Sequence, residues 1–399
     1  ILIGGFGRGE GSIIYKKKKF IPINDYDIYV VTSKKYPNAL IEQMCKKASE
    51  AINKKCINFY DYSEDMEYDI EKTFYPDIRV LTLSELRKLP PFLKYFEIKN
   101  STVIYGENVI KEIPNFNIKE IPDSEGFRFL MNRICLMIMH FPFSALKNLD
   151  EKNKERIINF NMKATLSCAE ALLLLSKKFT ASYIERAEIL KKTYKKDFPE
   201  LSQKIPELPK LVNKYTNQKL KPDYKNIENP LRDWFVIRDY SVEIIRFLLY
   251  NFTGTEIKNM RKLTHTMNKT YSRDYIKGYI KGKFGINNKI LLNILNYPAN
   301  YVLNLLYIKR IFDIKRKLCL SPLKHPFIPP DLKIFPAAIF IISSLNGDGS
   351  INERLFNESQ RYLGQVYFDY PEIYKNKDWE GMRRIFGTIF NLYGFQKLI

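Results

Sequence analysis

Through about residue 120, short apolar runs alternate with polar connections rich in glycine or proline; beyond that, apolar positions recur every three or four residues over long stretches. The first texture predicts strands alternating with short helices, and the second predicts long amphipathic helices. ILI, ending at Gly4, reads as the end of a strand that runs into a glycine-rich turn. SIIYKKKKFIPI is apolar, basic and apolar again, the pattern of a hairpin with four lysines at its tip, and DYDIYVVT is a second strand. In NALIEQMCKKASEAINKK, Ile41, Met44, Cys45, Ala48 and Ile52 share one helical face, with Asn38 as a cap. CINFYDY and YPDIRVLTL predict further strands, the latter with Pro76 at its edge or start, SELRKL a short helix, and STVIYGENVI a strand and turn.

From EGFRFLMNRICLMIMHF onward the period is helical, and the proline-bearing stretches PELPKL, KPDYKNIENP and LSPLKHPFIPPDL separate the helices. The expected fold class is α+β, with a mixed-sheet domain over 1–120, a helical domain over 121–325 that could form an acceptor-binding region, and a C-terminal helical subdomain over 326–399.

Composition changes this picture in one respect. Lys and Arg outnumber Asp and Glu by 65 to 44, a net charge of +21 spread along the whole chain. Such an excess fits a polyanionic partner, whether nucleic acid, nucleotide or anionic surface; a Lys-, Ile-, Asn- and Tyr-rich coding bias accounts for it equally well. The five cysteines form no C-x-x-C pair, so neither a zinc site nor a disulfide framework is signalled, and a reducing cytoplasm is the expected location. The longest apolar runs fall short of the ~20 residues that span a bilayer, so no membrane span is expected. The chain begins without Met inside an apolar run and reads as N-terminally truncated, which leaves targeting signals unread.

The candidate chemistry lies at the head of the chain, in GGFGRGEGS and NDYD. On a strand, Asp25 and Asp27 project from the same face while Tyr26 and Ile28 point to the other. Two adjacent carboxylates repel each other, and the pair becomes favourable around a hard divalent cation such as Mg²⁺. A glycine-rich turn behind a strand lets backbone amides approach phosphate oxygens; Ser12 adds a hydroxyl and Arg8 a guanidinium that can neutralise phosphate charge. Two-metal phosphoryl chemistry needs a third carboxylate, and Asp77 is chosen because Asp77 and Arg79 share a face of a strand whose other face is apolar. Asp61, Asp65 and Asp69 compete for the role from a polar stretch that reads as a loop. Lys16 to Lys19 read either as a solvated hairpin tip or as a guide for a polyanion.

GGFGRGE, NDYD at the head of an apolar strand and a lone Asp on a later strand resemble the nucleotidyltransferases of the DNA polymerase β superfamily, over about the first 110 residues. The GRGE variant is similar to that of bacterial uridylyltransferases that modify a nitrogen-signalling protein, and the interval between the glycine pair and the first Asp is longer here by the SIIYKKKKFIPI insertion. The resemblance implies a nucleoside triphosphate substrate, two Mg²⁺ ions with Mn²⁺ as a substitute, and an acceptor it does not identify. It implies phosphate contacts at Gly4 and Gly5, a supporting role for Ser12, metal ligation by Asp25 and Asp27, and Asp77 as ligand or base.

Other readings stay open beside it. A chain of this fold could bind nucleotide without transferring it, as a regulator. Arg133 and His140, seven residues apart on one helical face, are similar to the Arg-x₄₋₆-His element of HEPN domains, which would imply an RNA-processing role; the apolar ICLMIM between them favours a buried structural histidine. His265 and His325 have no metal-ligand spacing, and Trp234 and Trp379 read as core.

Overall fold

In the computed structural model the described residues are 1–16, 18–23, 26–56, 73–74, 76–257, 259–263, 265–267, 280, 286, 288–315, 320, 323, 326, 330–366, 372–375 and 377–393. They form a mostly helical protein with a small strand region at its N-terminus, consistent with the α+β class.

A one-turn helix, α1 (Gly4–Gly7), precedes an antiparallel hairpin of β1 (Ile13–Lys16) and β2 (Lys19–Pro22) in which Tyr15 faces Phe20 and Lys16 faces Lys19. Lys16 and Lys19 thus close the hairpin, and Lys18 takes the left-handed conformation a tight turn demands; Lys17 lies outside the described residues. Next come β3 (Tyr26–Thr32), α2 (Asn38–Ala51), the short parallel pair β4 (Lys55–Cys56) and β5 (Thr73–Phe74), and β6 (Pro76–Thr82). β3 and β6 run parallel, with α2 in the crossover between them. Leu2 bridges Ile28 on one side and Thr102 on the other, so the first residues lie along the free edge of β3.

Several details differ from the sequence reading. Pro37, not Asn38, occupies the cap of α2, and Asn38 is its first helical residue. Met44, Ala48 and Ile52 of the expected apolar face are exposed, and the covered row is the narrower one of Ile41, Cys45 and Ser49. STVIYGENVI forms no strand beyond the bridge at Thr102; its Ile104 and Tyr105 are exposed beside Gly106, and its last two residues open a 3₁₀ turn over Val109–Glu112. Pro76 does open its strand. Most of CINFYDY, with Asp61, Asp65 and Asp69, lies outside the described residues.

Two short helices follow, α3 (Leu83–Leu86), closed by a Thr82–Glu85 capping box, and α4 (Leu93–Ile98). The helical bulk comprises α5 (Ser124–Met139), α6 (Glu151–Leu175), α7 (Tyr183–Asp197), α8 (Pro199–Lys204), α9 (Leu208–Leu220) and α10 (Pro230–Thr253). It continues in α11 (Lys289–Lys315), α12 (Pro330–Ser344), α13 (Glu353–Val366), α14 (Glu372–Lys375) and α15 (Trp379–Tyr393). Their boundaries obey local chemistry. Asp150, Ser182 and Asn229 cap α6, α7 and α10 with side-chain oxygens, and Gly254 ends α10 in the left-handed conformation.

The principal core draws on residues from Leu93 to Ile389 and crosses from the middle helices into the C-terminal ones. At its centre Phe141 stacks on Trp234 with centroids 4.2 Å apart and meets Trp379 edge-on at 5.7 Å. Both tryptophans are buried, as expected of core residues. A smaller core gathers Ile1, Ile3, Tyr29, Leu86, Leu89 and Ile98 around β3.

Candidate functional site

The parallel register of β3 and β6 sets Asp27 directly opposite Asp77. Paired residues of neighbouring strands project from the same face with backbones about 4.8 Å apart, so these carboxylates from distant parts of the chain stand side by side. α1 closes over Asp27. Gly4 has φ +67°, and a Cβ there would lie 2.6 Å from Asp27 Oδ2, so both its conformation and its space require glycine. The Ile3 amide donates to the Asp27 carbonyl at 2.9 Å, fixing the turn to the strand. So short a helix offers no internal acceptor for its first amides, those of Gly4, Gly5 and Phe6. The Phe6 ring stacks on Tyr26 at 4.9 Å.

Cations stand beside the acids. Arg79 Nε lies 3.7 Å from Asp77 Oδ1, as their shared strand face demands. Lys94, on α4, places its ammonium 5.1 Å from the centre of the Tyr29 ring. Burial pushes Lys94 down to about 8, with Arg79 adding to the fall while Asp77 and Asp27 oppose it. The same burial pushes the Tyr29 phenol up. α4 is held in place by Glu125, a fully buried carboxylate of α5 that accepts the Leu93 amide at 3.3 Å and pairs with Arg128 at 3.0 Å.

The remaining expected site residues divide. Gly5 packs within the turn, where its carbonyl accepts the amides of Arg8 and Glu10. Ser12 is fully buried at the base of the hairpin; its carbonyl accepts the Ile23 amide and its hydroxyl has no partner. Asp25 lies outside the described residues. Arg8 is buried against the helical region, 3.5 Å from Glu97 and 3.9 Å from Glu10, with its guanidinium 5.3 Å from the Tyr183 ring centre. Its Nε and Nη1 make no hydrogen bond there. Glu10 accepts the Ser182 hydroxyl at 2.7 Å and the Tyr183 amide at 2.9 Å, and so caps α7. Arg186 continues the network, 2.7 Å from Glu170 and 3.7 Å from Glu97. Burial raises Glu97 above the usual carboxylate range, against the pull of Arg8 and Arg186.

Lys94 is the site residue that sequence reasoning missed. The available signal was a single lysine inside the otherwise apolar PPFLKYF. Elsewhere, the His140 ring lies flat on Phe160 with centroids 3.9 Å apart and is pushed down to about 3 by burial and by Arg156, Lys163 and Arg383. Arg133 Nε is buried without a hydrogen bond.

Asp27 and Asp77 supply hard oxygen donors of the kind Mg²⁺ takes, on neighbouring strands and with Asp77 partly exposed. Among the described residues no three His, Cys, Asp or Glu side chains gather as a metal-binding group, so the visible donor set is this pair. Comparison with family models, curated proteins and solved structures finds no match to the chain. The class that fold and site define is a mostly helical protein whose small N-terminal strand region carries paired carboxylates, a glycine turn and two adjoining cations.

Proposed function

We propose that the chain is a Mg²⁺-dependent nucleotidyltransferase that moves a nucleoside monophosphate from a nucleoside triphosphate to a hydroxyl or phosphate acceptor. One observation carries the reading: Asp27 stands in register with Asp77 directly beside the Gly4 turn. Bound at such a pair, divalent ions supply Lewis-acid polarisation of the phosphoryl oxygens. The residues divide the other work. Asp27, with Asp25 beside it in sequence, holds the metal side of the site, and Asp77 accepts the proton of the incoming hydroxyl. The acceptor oxygen forms its bond to the α-phosphorus as the bond to the β-phosphate bridge breaks and pyrophosphate leaves. Lys94 and Arg79 offset phosphate charge, and the first amides of α1 face the phosphate oxygens.

Incubation with each α-³²P-labelled nucleoside triphosphate, Mg²⁺ and an extract of the source organism tests this directly. Label should reach an acceptor with the unmutated chain and fall by at least about a thousandfold with Asp27→Asn or Asp77→Asn, as removal of a metal-site carboxylate implies. Equal labelling by the Asp27→Asn, Asp77→Asn double variant rejects the proposal.

A second reading, nucleotide binding without transfer, has one observation in its favour. Arg79 lies 3.7 Å from Asp77 and satisfies part of the charge a metal would otherwise meet. Saturable binding of Mg-nucleotide with no labelled product would select it.

A further inference from the structure

α11 turns an apolar face outward. Ile290, Ile294, Tyr297, Tyr301 and Leu305 recur at steps of three or four residues and form one stripe, which Phe312 resumes beyond the buried Ile308; these six are exposed by 41% to 72%. The face turned into the protein buries Tyr307 and Ile311 in the principal core and, at steps of four, Asn296, Asn300 and Asn304. Asn304 accepts a hydrogen bond from the buried Lys333 ammonium of α12 at 2.9 Å, while Asn300, fully buried, leaves both ends of its amide unpaired. A water-facing helix keeps its outer face polar and few amides inside. This arrangement becomes favourable when something equally apolar covers the outer stripe.

We infer that α11 is a membrane-docking helix that lies flat on an anionic bilayer, with its outer stripe in the interfacial layer and its asparagine row against the protein body. Charge selects this occupant over a second copy of the chain. Each chain carries +21, so self-association brings two strongly cationic chains together, whereas an anionic surface attracts one. The helix repeats that bias in its own sequence, with Lys289 at its start and Lys309, Arg310 and Lys315 toward its end against a lone Asp313. Two tyrosines lie mid-stripe, amphipathic rings suited to the headgroup boundary. Among the described residues no helix is long and apolar enough to cross a membrane, so the geometry is that of a helix lying on the surface. The inference is independent of the nucleotidyl-transfer reading.

Flotation with phosphatidylcholine vesicles, and with vesicles of phosphatidylcholine mixed with phosphatidylserine, tests it on the full chain. The chain should float with the anionic vesicles and not with the neutral ones. Ile294→Glu with Leu305→Glu, both at exposed positions, should weaken that binding at least about tenfold, because charged side chains are excluded from the interface. Unchanged circular dichroism and Tm establish that the variant is folded; Ile294→Gln with Leu305→Gln replaces it if the charged pair is not. Three results overturn the inference. One is failure to float with anionic vesicles. Another is equal flotation by a folded stripe variant, which would leave charge alone as the cause. The third is a vesicle-free dimer, seen by light scattering, that the stripe variants dissociate; it would assign the stripe to a second copy.

Discussion

At Lys94, burial removes an ammonium from water while Asp27 and Asp77 supply a compensating negative field. Nothing local in the sequence encodes that balance. Asp27 and Asp77 were legible because strand alternation dictates which face a residue takes, and the parallel register then aligned them. The position of Lys94 depends on α4 docking over β3, an encounter between segments more than sixty residues apart. Under the transfer reading, Lys94→Met should raise the KM for nucleoside triphosphate about tenfold, or about 1.4 kcal/mol, with the fold retained, and Lys94→Arg should recover part of the loss. Steady-state kinetics beside a thermal melt would check it; an unchanged KM would leave Lys94 a packing residue. His140 makes a separate prediction. Its folded value is pushed down to about 3, whereas an unfolded histidine titrates near about 6.5. Between these values only the unfolded chain binds the proton, so stability present above about pH 6.5 is lost as pH falls, by up to about 1.4 kcal/mol per unit. Replacing His140 with Phe keeps a ring against Phe160 and removes the titration. Urea unfolding at neutral pH and again near pH 5 should show about 2 kcal/mol less acid destabilisation in the variant than in the unmutated chain.

The GRGE segment is built as an element-to-element joint. Its Glu10 caps α7 and its Arg8 enters a buried network with Glu97 and Tyr183, so a sequence string read for phosphate chemistry also fastens the strand region to the helices. That second role was invisible beforehand because the start of α7 lies more than 170 residues downstream. The helix itself is legible from its apolar period. Glu10→Gln keeps the size and loses the charge. It should cost about 1.5–3 kcal/mol, the range for a hydrogen bond to a charged group, and raise hydrogen exchange at the Tyr183 and Ile184 amides before it affects α10. If those amides stay protected, the cap is dispensable and the joint rests on Arg8.

Over the whole molecule, sequence periodicity located the long helices well and said little about which would share a core. The prolines around LSPLKHPFIPPDL suggested a boundary near residue 325, yet one apolar core continues from Leu93 to Ile389 through helices on both sides of it. The reason lies in the aromatic centre. Phe141 follows α5, Trp234 belongs to α10 and Trp379 opens α15, and the Phe141 ring contacts both indoles while the Trp379 indole donates to the Ile341 carbonyl of α12 at 3.2 Å. Periodicity identifies an apolar face but not its partner, since any two such faces gain by meeting. A shared core implies shared unfolding. Trp379→Ala should therefore cost about 3–5 kcal/mol, the usual range for emptying a buried aromatic site, and lower the stability of the middle helices together with the C-terminal ones. The chain holds two tryptophans, so fluorescence of the variant reports Trp234 alone. Its denaturant midpoint should fall together with that of the far-ultraviolet dichroism. A Trp234 transition left at the unmutated midpoint would mean that the C-terminal helices unfold separately and that the aromatic contact couples them weakly.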